Sequence, residues 1–91
     1  MDTTAIGKVK KVAAKAILLS YKKIKEIYLA NPSNLEGSLL VSLGNAYRRI
    51  DSLSVEQLEK VLRAVRSRLV GFEVVAEIDF ALKKIKEMSE M

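Results

Sequence analysis

The residues best placed to act on something outside the chain are lysines. Lys8, Lys11, Lys15, Lys22 and Lys25 fall on one side of a helix drawn at 100° per residue, so a helical segment there carries a cationic stripe. Such a stripe can track the phosphates of a nucleic acid with a charge-dominated, salt-sensitive affinity. Reading a base sequence is a different task, usually performed by arginine, asparagine or glutamine near the start of a helix that fits the major groove. All five arginines lie between residues 48 and 68. Arg63 and Arg66 join the candidate nucleic-acid-binding set but come late on their helix. Arg48 and Arg49 end a helix, where compensation of its dipole is a sufficient account.

Catalysis finds less support. Glu56 and Glu59, and Glu73 and Glu77, are spaced to share a helix face, but charges surround both pairs at helical spacing. They read as solvated rather than as the convergent carboxylates that acid–base work in a cleft requires. The sequence has no histidine and no cysteine, which removes disulfides, thiolate nucleophiles, cysteine-based metal centres and the Glu-x-x-His pattern of di-metal bundles. A lysine nucleophile needs desolvation, whereas these lysines share a dense outward face. No glycine-rich phosphate loop or nucleophile elbow is present. The expectation is a non-enzyme with no cofactor and no metal.

A second group is apolar where polar residues are the rule. Phe72, Ala76 and Phe80 recur every four residues, on the side of the last helical segment away from its main stripe, and Leu18 sits among the lysines with Leu29 pointing the same way. Aromatic side chains left in water mark interfaces, so Phe72, Ala76, Phe80 and Leu18 are candidates for a protein contact, with Val70 of the same type. The competing outcome is a bend at Gly71 that tucks Phe72 into the core. Tyr21 and Tyr28, near Lys10 and Lys25 on the wheel, read as edges of the core rather than as a stacking platform for bases.

The elements that must position these residues are helices. Ninety-one residues, 49% hydrophobic with one proline, have the composition of one small globular domain. From the N-cap candidates Asp2-Thr3-Thr4 to Asn31-Pro32 the pattern gives a helix over about 4–30, with Ile6, Val9, Ala13, Ala16, Ser20, Ile24 and Ile27 on its apolar face. Ser33-x-x-Glu36 is a capping box opening a helix over 34–50, with Leu35, Leu39, Leu43, Ala46, Tyr47 and Ile50 inward. Gly37 and Gly44 share its other face with Val41 and Arg48, which suggests that something approaches the backbone there. Ser54-x-x-Gln57 opens a third helix over 55–70, with Leu53 and Leu58 as a hydrophobic staple and Leu58, Val61, Leu62, Val65 and Leu69 inward. A fourth spans 72–89 with Val74, Val75, Ile78, Ala81, Leu82, Ile85 and Met88, and its stripe is rotated by about 150° from the third if the two are drawn as one rod. The chain therefore either turns at Gly71, or continues as a rod that needs a second chain to cover it; glycine just past a helix end favours the turn.

Charge is local as well. Residues 1–30 hold seven lysines against Asp2 and Glu26, whereas residues 31–91 hold nine basic and nine acidic groups. No apolar run exceeds four residues, which excludes a membrane span or a signal-peptide core, and the basic first helix has alanines better suited to packing than to lipid. Lysine, isoleucine, leucine and valine are plentiful and glutamine is single, a thermophile-like composition. The segment from Leu39 to Leu69 has the outline of a helix-turn-helix, but its turn lacks glycine and an αα-hairpin reads the same way.

The expected fold is all-α, a small antiparallel three- or four-helix bundle with a long first helix, in a soluble cytoplasmic protein. The expected function is a small accessory or adaptor subunit that docks on a larger protein in a nucleic-acid-processing complex of replication or transcription, without membrane contact. The alternatives are a direct, largely sequence-independent DNA- or RNA-binding protein, and a self-assembling structural protein if the third and fourth helices are continuous.

Overall fold

The amphipathic segments fold into four helices, α1 (Thr3–Ala30), α2 (Asn34–Arg48), α3 (Val55–Arg68) and α4 (Val75–Ser89), with no strand among the described residues. The structure is a computed structural model that describes residues 3–90; the N-cap expected at Asp2-Thr3-Thr4 lies outside the side chains it describes. The 28 residues of α1 span about 42 Å at 1.5 Å per residue, close to the 44 Å long axis of the molecule. One helix therefore sets the length of the whole body, and the other three pack along it. The remaining dimensions, 25 and 15 Å, make it a flat slab.

The core lies where the sequence pattern directs it. Val9, Ala13, Ala16, Ile17 and Ile24 of α1 are buried with Leu43 and Ala46 of α2, Leu58, Leu62 and Val65 of α3, Leu69 just beyond it, and Ile78, Ala81 and Ile85 of α4. Ser20 is fully buried in the same face and its hydroxyl has no hydrogen-bond partner. The glycines of α2 explain how closely it meets α1. A Cβ on Gly44 would lie 3.8 Å from the ring of Tyr21, and one on Gly37 would lie 3.6 Å from the ring of Tyr28. Later residues of α1 thus meet earlier residues of α2, so these two helices run in opposite directions. The approach suspected from Gly37 and Gly44 comes from the chain's own tyrosines.

The face of α2 departs from the expected one. Leu35 and Tyr47 are 58% and 44% exposed, and Glu36 is buried. The two apolar residues sit at opposite edges of a stripe centred near Leu43. Glu36 occupies the stripe because Arg68, arriving from the end of α3, donates to its carboxylate through both Nε and Nη2. The capping box at Ser33 is consequently half formed. The Ser33 hydroxyl accepts from the Glu36 N–H at 3.4 Å, but the Glu36 carboxylate is committed to Arg68 instead of reaching back. At Ser54 the box is complete, with Gln57 N–H donating to Ser54 Oγ at 3.1 Å and Ser54 N–H donating to Gln57 Oε1 at 2.9 Å.

The chain turns at Gly71, whose φ of +96° is open to glycine and strained for other residues. Helix α3 stops at Arg68, and α4 begins only at Val75, after a turn in which the Val75 N–H donates to the Phe72 carbonyl at 3.1 Å. Both ends are shorter than the expected 70 and 72, because Leu69 through Val74 are used to reverse the chain. The turn is clamped by a two-pronged contact, in which Arg66 Nε and Nη2 donate to the two carboxylate oxygens of Asp79. With that turn, α3 and α4 do not form the continuous rod on which a self-assembling structural protein was to be built.

Candidate functional site

Helix α1 presents the expected cationic side. Lys8, Lys11, Lys15, Lys22 and Lys25 are all exposed. Among the described residues Lys8, Lys11, Lys22 and Lys25 have no carboxylate within 4 Å, while Lys15 approaches Glu77 of α4 at 3.9 Å. The other two lysines of α1 are turned to internal tasks. Lys10 donates to the Asp51 carbonyl at 2.7 Å, tying α1 to the turn between α2 and α3, and Lys23 pairs with Glu26 at 3.2 Å.

The arginines of α3 do not extend this stripe. Arg63 pairs with Glu59 at 2.9 Å, one turn back on its own helix, and Arg66 holds Asp79. The hydrogen bond from Arg66 holds the Asp79 carboxyl below its usual range, and Asp79 in turn raises the guanidinium further. Arg68 does the same to Glu36, its hydrogen bond outweighing the burial that pushes the carboxyl the other way. The three arginines of α3 are thus committed to carboxylates, whereas four of the five stripe lysines of α1 are not. Of the sequence-spaced acidic pairs, Glu59 serves Arg63, while Glu73 and Glu77 both line the open groove between α1 and the Gly71 turn, where Lys22, Lys23 and Glu26 also lie and Glu77 approaches Lys15.

The proposed protein-contact residues separate. Phe72 is 38% exposed and Phe80 is 48% exposed, and Ala76 is exposed. Gly71 swings Phe72 toward α1, where Lys23 Nζ lies 4.8 Å from its ring centre beside Leu19, Lys22 and Glu26. Phe80 stays on α4 with Lys84 Nζ 5.3 Å from its ring centre. Each aromatic face is thus partly covered by a cation, an arrangement worth about 0.5–1 kcal/mol at exposed sites. The turn neither buries Phe72 nor leaves the two rings as one bare patch.

Leu18 belongs to a different surface. It lines a cleft of about 460 Å³ between α1 and α2 together with Tyr21, Leu40, Val41, Leu43, Gly44, Tyr47 and Arg48. Val41 is 64% exposed there. Gly44 makes the cleft possible, because without a side chain the floor between Tyr21 and Tyr47 stays low. Sequence periodicity singled out Leu18 but missed the rest, since it placed Tyr47 inward and Val41 on a face assigned to close backbone approach. The available signal was Val41 itself, an aliphatic residue between two glycines on a polar helix face.

No known protein family, curated protein or solved structure matches the chain. No group of three or more acidic residues among the described residues is arranged to hold a metal ion, and no helix is long and apolar enough to cross a membrane.

Proposed function

We propose that the chain is a non-catalytic accessory or adaptor subunit that docks on a larger protein through its apolar clefts, in an assembly that handles nucleic acid. The observation that carries this reading is the cleft between α1 and α2, whose Leu18, Val41 and Tyr47 stay in water although fourteen other hydrophobic residues already close the core. A protein that keeps aliphatic and aromatic side chains at a concave surface gains by covering them. The nucleic-acid part of the reading rests on the exposed lysines of α1, of which Lys8, Lys15 and Lys22 are turned further from Leu18 around the helix than Lys11 and Lys25.

The test is capture of partners by the tagged chain in its native cells, with nuclease treatment of the extract. A protein should remain bound after nuclease, and Val41→Glu should abolish its retention while leaving the helical circular dichroism spectrum intact. If nuclease releases everything that co-purifies, the chain is a direct nucleic-acid binder instead. That second reading draws on the exposure of Lys8, Lys11, Lys22 and Lys25, and a charge-dominated affinity for duplex is its signature.

A further inference from the structure

We infer that the α1–α2 cleft receives one helix of the partner, and that this helix is amphipathic and acidic. The inference rests on the docking reading and adds to it the chemistry of the occupant.

The walls of the cleft supply one sign of charge. Between residues 3 and 25 α1 contains no carboxylate, and between residues 37 and 50 α2 and its C-cap contain none. Lys11 and Lys25 lie two turns from Leu18 on either side, within about 20° of it around α1. On the opposite wall Arg48 lines the cleft itself, its Nη2 donating to Asn45 Oδ1 at 2.8 Å, with no acid to neutralise it. An apolar floor of Leu18, Leu40, Val41 and Tyr47, with Arg48 at its α2 edge and Lys11 and Lys25 above and below Leu18 on α1, complements an apolar stripe flanked by carboxylates.

Length and shape favour a helix. From Leu40 to Arg48 the α2 wall runs about 12 Å, room for two turns of a third helix laid between α1 and α2, with anchors four residues apart. The low floor at Gly44 accepts a bulky anchor. A nucleic acid fits poorly, because aliphatic side chains give phosphates and sugars no hydrogen bonds. A second copy of this chain also fits poorly, because its α4 balances three carboxylates with three lysines, and those carboxylates already face cations: Asp79 faces Arg66, Glu77 faces Lys15 and Glu87 faces Lys84 at 3.6 Å.

The experiment is selection from a displayed library of random peptides of about 16 residues, long enough for four helical turns, on the intact 91-residue chain. Enriched sequences should place Leu, Ile, Phe or Met at spacings of three and four, with Asp and Glu in excess over Lys and Arg. A synthetic peptide of the enriched sequence should lose at least about tenfold in affinity on Val41→Glu and on Arg48→Glu, and weaken as salt is raised. On Phe80→Glu it should keep its affinity within about twofold, since that residue lies outside the cleft. Arg48 is exposed and outside the core, so its reversal reports on the cleft even if Val41→Glu disturbs folding. Apolar peptides without acidic excess, still sensitive to Val41→Glu, would overturn the charge assignment and leave the docking reading standing. No enrichment, peptides indifferent to both cleft variants, or displacement of the peptide by an unrelated duplex or by anionic vesicles would overturn the cleft as a helix site. Concentration-dependent dimers in light scattering that Val41→Glu abolishes would assign it to a second copy.

Discussion

Ser20 carries the one buried side-chain oxygen among the described residues that lacks a partner. Burying a hydroxyl without a hydrogen bond costs about 1–3 kcal/mol in protein interiors, and alanine is also the better helix former. Ser20→Ala should therefore raise the unfolding free energy by about 1 kcal/mol, read from urea midpoints at constant slope; a loss would mean that the hydroxyl has found a partner. Glu36 is the opposite case, a buried carboxylate that its partner makes tolerable. Its pKa lies below the unfolded value because Arg68 donates to the charged form. The resulting stabilisation is present above the unfolded carboxylate range, near pH 4, and is lost as pH falls through the depressed folded value. Asp79, held down by Arg66, adds to the same acid-side loss. Glu36→Gln should lower stability at neutral pH and flatten its decline between about pH 4 and 2. Parallel pH curves for the two proteins would show that Glu36 is not the titrating group.

At the scale of elements, the two glycines that shape the fold should respond oppositely to alanine. Gly71→Ala forces a Cβ into a φ of +96° and should cost about 1–2 kcal/mol while leaving the helices recognisable by circular dichroism. Gly44→Ala meets only Tyr21 at 3.8 Å, an ordinary contact, so helix propensity should dominate and stability rise by up to about 1 kcal/mol. A Gly71→Ala variant as stable as the parent would deny that this residue makes the turn. What was legible in the sequence follows the same division between local and distant causes. The start of α3 could be read from Ser54, Gln57, Leu53 and Leu58 alone, because every partner of that cap lies within a few residues. The face of α2 could not. The burial of Glu36 depends on Arg68, thirty-two residues away, and a periodicity argument has no place for an inward carboxylate. It therefore assigned Leu35 and Tyr47 to the core in compensation. Ile17, absent from the apolar face read from the sequence, is fully buried.

For the whole molecule, the lysine stripe was legible and the cleft was not, for one physical reason. A stripe is a property of one helix, whereas a cleft exists only once two helices have chosen their register. Leu18 looked misplaced on α1 until Val41 and Tyr47 of α2 were set beside it. The same slab geometry limits what the stripe can do alone. From Lys8 to Lys25 is about 26 Å of straight helix, and four of its five lysines have no carboxylate partner among the described residues. Each phosphate neutralised contributes about 0.9 to the slope of log affinity against log salt, so the isolated chain should bind a short duplex with a slope near −4. Such binding is measurable at low salt and falls away toward physiological ionic strength. Lys11→Ala and Lys22→Ala should each reduce the slope by about one, and Arg63→Ala should leave it unchanged, because Arg63 is occupied by Glu59. A slope of −7 or steeper, or a response to Arg63 and Arg66 in place of the lysines, would move the contact to α3 and require its ion pairs to open on binding. The predicted weakness bears on the proposed function: under that proposal, a stripe of four free charges relies on an assembly to hold nucleic acid against it, and the cleft between α1 and α2 is where that assembly docks.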